Sequence, residues 1–212
     1  MVKQEPTFMY RLLSNIPVFG SIFGIANAYA YKGDPLSKVE IASFSLWWKR
    51  VFRKIWYVLV FVCLLVLISN NYILKSDWAP ADTILGAFPS ILGFGIGVYA
   101  LMFIMPSDFL LFLKEKKQGG GSIGPELVSV DMGYPLITYV LVMIIAAINK
   151  LYPDSYCFKL ISLWALFYGL AMTVELISFL FLSSQMIQKI RTSEKKKKMS
   201  YFQCRKNKLK LK

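Results

Sequence analysis

Few side chains in this sequence could do chemistry, and one carboxylate stands apart from the others. The chain contains no histidine, which excludes a Ser-His-Asp triad, a Cys-His dyad, an HExxH zinc helix and a histidine ligand to haem. Glu175 is the only charged residue in the apolar stretch 160–188. A carboxylate in hydrocarbon is costly, so it must face the protein interior, a water-filled cavity or a partner, or be protonated. The sequence leaves open whether Glu175 serves a pore or helix contact, or simply pairs with a basic residue near the cytoplasmic face.

The three cysteines do not suggest a metal site or a disulfide. Cys63 lies in an apolar stretch, Cys157 at a predicted membrane edge and Cys204 in a basic tail. No two of them are plausible neighbours, so we expect neither a disulfide nor a zinc cluster. The sequence also lacks a cluster of carboxylates. We therefore predict a protein that is not an enzyme and binds no metal or cofactor.

Four long apolar stretches dominate the chain, in which 56% of the residues are hydrophobic and 17% are charged. They cover residues 55–74, 83–107, 132–149 and 160–188. A helix needs about 20 mostly apolar residues to cross a bilayer, whereas a barrel strand would be about 10 residues long with strict alternation. The sequence predicts an all-α integral membrane protein in which four transmembrane helices form a four-helix bundle.

A fifth apolar block, residues 12–31, is uncharged but repeatedly interrupted by polar and helix-disfavouring residues, namely Asn15, Pro17, Gly20, Ser21, Gly24 and Asn27. It is too broken to be a secretory signal. We favour an N-terminal interfacial helix, lying at the membrane surface or against the bundle. A fifth span is the alternative.

An aromatic and basic belt is predicted just before the first span. Tryptophan rings favour the headgroup level of a membrane, and Lys and Arg accumulate on its cytoplasmic side. The belt comprises Trp47, Trp48, Lys49, Arg50, Arg53 and Lys54.

The basic residues predict the orientation. Of the 25 Lys and Arg residues, 22 lie in the segments 1–54, 106–131 and 189–212. The positive-inside rule places these segments, and therefore both termini, in the cytoplasm. The chain then divides into an N-terminal helical segment (1–54), a transmembrane domain (55–188) with a cytoplasmic loop at 106–131, and a basic cytoplasmic tail (189–212).

The second span contains a pattern for close helix packing. Gly93 and Gly97 follow GxxxG spacing, which puts both on one helix face and lets another backbone approach closely. Pro89 lies one turn earlier, where it removes a backbone donor and can kink the helix. We favour packing, within one chain or between copies, over a gate or pore lining. Closed symmetry is the default for homo-oligomers, so we expect a dimer or a tetramer.

The tail 189–212 carries eleven basic residues and one acidic residue, Glu194. Such juxtamembrane clusters bind anionic lipid headgroups, and the same charge attracts an acidic protein or nucleic acid. We favour lipid headgroups, with a cytoplasmic partner protein second and direct nucleic-acid binding third. The residues expected to make this contact are Lys195, Lys196, Lys197, Lys198, Arg205 and Lys206.

In its four apolar blocks, its size and basic ends such as Lys195 to Lys198, the chain resembles KwaA, the membrane-subunit family of the two-component Kiwa anti-phage system. The resemblance covers general organisation and transfers no residue roles. It implies an oligomeric sensor in the bacterial inner membrane. Such a sensor recruits a cytoplasmic, nucleic-acid-engaging partner when infection disturbs the membrane.

Three functions remain open at this stage. We favour a non-enzymatic membrane sensor or scaffold with a cytoplasmic partner, because the outer loops are short and the inner face is basic. A small oligomeric ion channel or membrane-permeabilising effector is the alternative, suggested by Glu175 and by the face of Gly93 and Gly97. A transporter or lipid-modifying enzyme comes third, since no inverted repeat is visible.

Overall fold

The computed structural model of the chain describes residues 6–70, 72–103 and 125–210, which form helices and no β-strand. Two short helices begin the chain, α1 (Phe8–Ser14) and α2 (Phe19–Ala30), followed by a 3-10 turn at Pro35–Lys38. The remaining helices are α3 (Phe44–Ile68), the single turn α4 (Tyr72–Lys75), α5 (Pro80–Phe103), α6 (Pro125–Leu151) and α7 (Tyr156–Lys210).

Four of these helices, α3, α5, α6 and α7, are long and apolar enough to cross a membrane, as the sequence predicted. They are not equally enclosed by protein. Within their apolar windows, 39% of α6 and 33% of α7 are buried, against 17% of α3 and of α5. Helices α6 and α7 therefore form the centre of the bundle, and apolar side chains cover much of its outside.

The core lies where α6 and α7 pack together and α5 closes against both. Phe88 and Tyr139 are fully buried there, with their rings 5.7 Å apart in an edge-to-face contact. Gly169 makes this approach feasible, because a Cβ atom at that position would lie 2.4 Å from the Phe88 ring. Helix α3 packs against the opposite side of α7 through Val62 and Leu163.

The helix boundaries differ from the predicted spans at two places. Helix α3 begins at Phe44 rather than at residue 55, because the π turn Trp48–Phe52 joins two α-helical parts without a break. Helix α6 begins at Pro125, and proline suits a first helical position, where no intrahelical N–H bond is lost. The last part of the predicted loop 106–131 is therefore helical, while residues 106–124 lie outside the described residues.

The interrupted block 12–31 forms no fifth span but two short helices joined by a tight turn. Helix α2 has 12 residues, which gives a length of about 18 Å, well short of the roughly 30 Å of a bilayer core. Glycine is required at the start of α2, because a Cβ at Gly20 would lie 2.2 Å from the carbonyl oxygen of Ser14 at the end of α1. Helix α2 packs against the bundle, and its location at the membrane interface stays a prediction.

Helix α7 continues well beyond its apolar part. The apolar stretch ends at Gln188, whereas the helix runs to Lys210. At 1.5 Å per residue, the part after Gln188 is about 33 Å long. The backbone of the predicted tail 189–212 is thus a direct continuation of the fourth long helix as far as Lys210. We call the part of α7 after Gln188 the basic extension.

Candidate functional site

Glu175 lies where α2, α3 and α7 meet, and its carboxylate is paired. The Lys54 ammonium donates to both carboxylate oxygens, and the Tyr29 phenol donates to Oε1 across 2.8 Å. Lys54 also donates to the phenol oxygen of Tyr29. The three side chains therefore form a closed triangle, which we call the Tyr29–Lys54–Glu175 latch. This arrangement corresponds to the structural interpretation of Glu175, in which it pairs with a basic residue.

A second ion pair lies beside the latch. Arg50 donates through Nη2 to Oδ1 of Asp131 across 2.8 Å, and both side chains are 18% exposed. The other guanidinium nitrogen donates to the backbone carbonyl of Tyr29 across 3.0 Å. Two bases from α3 thus neutralise one acid from α6 and one from α7. A buried ion pair is tolerated only when such additional hydrogen bonds satisfy it.

The Tyr29 ring is the centre of this site. It stacks on Tyr134 with the centroids 4.1 Å apart, and the Arg50 guanidinium lies 4.1 Å from its centroid. Burial raises the pKa of the Tyr29 phenol above its ordinary value, and the nearby Glu175 carboxylate raises it further. The phenol therefore stays protonated, as a hydrogen-bond donor to Glu175 must.

Aromatic contacts continue from Tyr29 into the bundle. The hydroxyls of Tyr134 and Tyr168 share a hydrogen bond of 2.9 Å, and the Tyr168 ring stacks on Trp164 at 5.2 Å. This column connects α2, α6 and α7 through rings that have little room to move. A displacement of Tyr29 would therefore displace contacting side chains on α6 and α7.

The chain after α2 is held in place by a buried amide. Asn27 is fully buried and donates to the carbonyls of Ser37 and Glu40, while its own oxygen accepts from the amide of Ala42. This clamp folds residues 31–43 back over α2 and sets the position from which α3 begins. Arg50 and Lys54, spaced i and i+4 on α3, then share the face that meets Tyr29.

The six predicted belt residues separate in the structure. Arg50 and Lys54 point inward to their acidic partners. Trp47 is half-buried and stacks on Phe23, with the centroids 6.5 Å apart. The exposed members, which keep the location that a membrane belt requires, are Trp48, Lys49 and Arg53.

Within the described part of the chain, the predicted packing glycines face no close neighbour. Gly93 and Gly97 are exposed on α5, and a Cβ at either would meet nothing within 4 Å. Pro89 lies inside α5 and is also exposed. Close packing inside the bundle uses Gly169 and Gly95 instead, the latter against Leu136. A contact of Gly93 and Gly97 with another copy of the chain stays a prediction.

Sequence reasoning singled out Glu175 but missed two important members of its surroundings. Tyr29 lay in the interrupted block 12–31, and Asp131 lay at the end of the predicted loop. One signal was available for Tyr29. It follows the polar Asn27 within an otherwise apolar block, which marks a segment that packs on protein.

Comparisons with known proteins add no further assignment, since no family model, curated protein or solved structure matches this chain. Among the described residues, no group of three or more His, Cys, Asp or Glu side chains could hold a metal ion. The site consists of two basic and two acidic side chains, which balance in charge, and a protonated phenol. Together they hold the N-terminal segment to the bundle.

Proposed function

We propose that this chain is a non-enzymatic membrane sensor or scaffold that recruits a cytoplasmic partner through the basic extension. The observation that carries this proposal is that one helix, α7, bears both features. Glu175 on α7 is held by Tyr29 and Lys54, and the same helix continues without interruption into the extension. A continuous helix transmits a displacement at Glu175 to its far end.

The proposed location is the bacterial inner membrane, with both termini in the cytoplasm. The four apolar helices support membrane residence. The distribution of 22 of the 25 basic residues supports the orientation, because Lys and Arg accumulate in cytoplasmic segments. In this orientation the latch lies at the cytoplasmic end of the bundle, and the basic extension projects into the cytoplasm.

The sensing element in this proposal is the N-terminal segment. Helix α1 and the following turn expose large apolar side chains, among them Phe8, Val18 and Phe19 at 76%, 69% and 69% exposure. Such a surface responds to the state of the bilayer that covers it. A force that moves α2 strains the latch, and the strain reaches α7. Phage infection is the setting we propose, supported by the resemblance in overall organisation to the Kiwa membrane subunit.

The partner we propose is a cytoplasmic protein with an acidic surface, possessing a nucleic-acid-binding function of its own. Segment 189–212 carries eleven basic residues, ten of them in the extension, and electrostatic complementarity of this kind speeds association and sets specificity. Anionic lipid headgroups compete for the same charges. A dimer or tetramer formed through Gly93 and Gly97 would present several extensions together.

The test replaces Lys195, Lys196, Lys197, Lys198, Arg205 and Lys206 by glutamine. Partner recovery from cells and binding to anionic liposomes are then measured with the full-length chain. Loss of the partner supports the proposal. If only liposome binding falls, the partner docks on 106–131 or 1–54 instead. If neither changes, the extension is only a topology anchor.

A small ion channel or permeabilising effector is the second candidate. The open face at Gly93 and Gly97 favours it, since copies packed there could surround a pore. The pairing of Glu175 with Lys54 argues against it, because a neutralised carboxylate does not line a cation path. Conductance of the purified chain in planar bilayers separates the two candidates.

A further inference from the structure

An apolar groove of about 500 Å³ runs between α2, α5 and α6. Its volume falls in the range of about 300–1,000 Å³ that is common for small-ligand sites. Its lining includes Gly24 and Ala28 on α2, Leu92 and Ile96 on α5, and Gly133 and Ile137 on α6.

The depth of the groove matches one leaflet of a membrane. Its lining on α6 runs from Ser129 to Val140, a rise of about 16 Å along the helix. The hydrocarbon core is about 30 Å thick, so half of it is about 15 Å. The walls belong to the apolar windows of two spanning helices. With these helices across a membrane, the groove would face hydrocarbon.

The chemistry of the lining favours an alkyl chain. Among the lining residues that the structure describes, glycine, alanine and aliphatic side chains dominate, and the polar members Ser129 and Tyr99 lie toward the end where α6 begins. Two glycines provide the width, since a Cβ at Gly24 would meet nothing within 4 Å and one at Gly133 would only touch Ile25. An unbranched chain fills such a space without leaving a polar group unpaired.

The turn that carries Lys32 lies beyond the end of the groove where α6 begins. Lys32 is exposed and lies one turn beyond Ala28, in the turn that ends α2. That turn sits against the start of α6, because a Cβ at Gly33 would lie 2.8 Å from the carbonyl carbon of Glu126. Lys32 is thus placed at the level where an acyl chain in the groove would carry its phosphate.

We propose that the groove binds one phospholipid, with an acyl chain between α2, α5 and α6 and the phosphate against Lys32. The site is independent of the basic extension and of partner recruitment. It makes the position of α2 depend on a lipid of the surrounding membrane. The lipid is held by a built pocket, in contrast to the general attraction of headgroups to surface charge.

The test uses two matched pairs of variants. Gly24→Phe places a ring on the groove face of α2, where a Cβ meets nothing within 4 Å, and Ile22→Phe places the same ring on the opposite face of α2. Lys32→Gln removes the cation in the turn after α2, and Lys38→Gln removes a neighbouring exposed cation. Each full-length protein is purified in mild detergent, delipidated, and incubated with palmitoyl-oleoyl phosphatidylglycerol or phosphatidylcholine. Native mass spectrometry then counts the phospholipids retained per chain.

The wild-type chain is expected to retain one phospholipid, as are Ile22→Phe and Lys38→Gln. Gly24→Phe should lower retention roughly tenfold or more, because displacing even two methylenes from an apolar site corresponds to that factor. Lys32→Gln should weaken retention of both lipids, since both carry a phosphate. Ile96→Trp, which fills the groove from α5, serves as the second variant if Gly24→Phe is not monodisperse.

Three results would overturn the proposal. The first is that the wild-type chain retains no phospholipid. That result would indicate that another part of the chain fills the groove. The second is equal retention by Gly24→Phe and Ile22→Phe. The third is that the chain retains detergent instead of phospholipid when detergent and phospholipid are both present. That result would show an unspecific apolar surface.

Discussion

Tyr29 donates a hydrogen bond to Glu175 across 2.8 Å, although the two residues lie 146 positions apart in the chain. The bond joins the N-terminal segment to the helix that leaves the bundle as the basic extension. Lys54 closes the triangle from α3. Three separate parts of the chain therefore depend on one small polar cluster for their relative positions.

Removing the phenol should loosen the N-terminal segment. Tyr29→Phe keeps the ring that stacks on Tyr134 but loses the donor to Glu175, at a cost of about 1 kcal/mol for one hydrogen bond. We expect faster amide hydrogen exchange in α2 and little change in α6. Tyr31→Phe is the matched control, because its hydroxyl makes only a 3.5 Å contact with the carbonyl of Ile41. Equal effects of the two variants would show that the latch contributes nothing.

Removing one charge of the Lys54–Glu175 pair should lower the stability of the chain more than removing one charge of an exposed ion pair. Lys54 and Glu175 are 27% and 34% exposed, so Lys54→Gln or Glu175→Gln should destabilise the chain by about 1–3 kcal/mol, less than the 3–5 kcal/mol of a fully buried pair. Thermal unfolding in nanodiscs measures the loss. The double variant Lys54→Met with Glu175→Met should recover part of it, because no charge is left unpaired.

The control for this prediction is the pair of Lys150 and Asp82, whose side chains are 47% and 61% exposed. Exposed pairs contribute little, so Lys150→Gln should leave the unfolding temperature unchanged. A cost at Lys150 equal to that at Lys54 would contradict the assignment of the latch as a stabilising centre.

The glycines of α5 should matter for assembly and not for folding. Gly93→Leu and Gly97→Leu meet open space within the chain, so the unfolding temperature should hold while the dimer or tetramer is lost. Gly169→Leu is the contrasting variant, because its side chain must displace the buried Phe88 ring, and overpacking typically costs about 1–3 kcal/mol. Light scattering with detergent correction measures the mass. If the oligomer persists in both Gly93→Leu and Gly97→Leu, its interface lies elsewhere.

The orientation predicts which thiols an impermeant reagent reaches in intact cells. Cys157 is exposed at the outer end of α7 and should be labelled. Cys204 and a thiol introduced by Ser122→Cys should react only after the cells are opened, each measured in a Cys157→Ser background. Labelling of either cytoplasmic position in intact cells would reverse the topology.

Part of this molecule could be predicted from the sequence. Hydropathy and length are local properties, so the four long apolar helices were predictable. The continuation of α7 was also open to prediction, since no glycine or proline follows Gly169 in the sequence and Lys-rich stretches favour helix. The partners of Glu175 could not be predicted from the sequence. Lys54 fits an interfacial belt equally well by type and position, and only the packing of α2 on α6 brings Tyr29 to the carboxylate.

The role of the basic extension is tested most directly by the salt dependence of partner recovery. The full-length chain is recovered from cells with its partner without cross-linking, and the isolated complex is then washed at rising salt. Three chains are compared: wild type, the variant with Lys195, Lys196, Lys197, Lys198, Arg205 and Lys206 changed to glutamine, and a control in which the same lysines become arginine. The control keeps the charge.

We predict that wild type and the arginine control recover the same cytoplasmic protein, and that the glutamine variant does not. Recovery without cross-linking should fall between 0.1 M and 1 M salt, as the Debye length shortens from about 10 Å to about 3 Å. The helix content of all three chains should be equal by circular dichroism. Undiminished recovery by the glutamine variant, together with unchanged cellular function, would contradict the proposal that this helix recruits the partner.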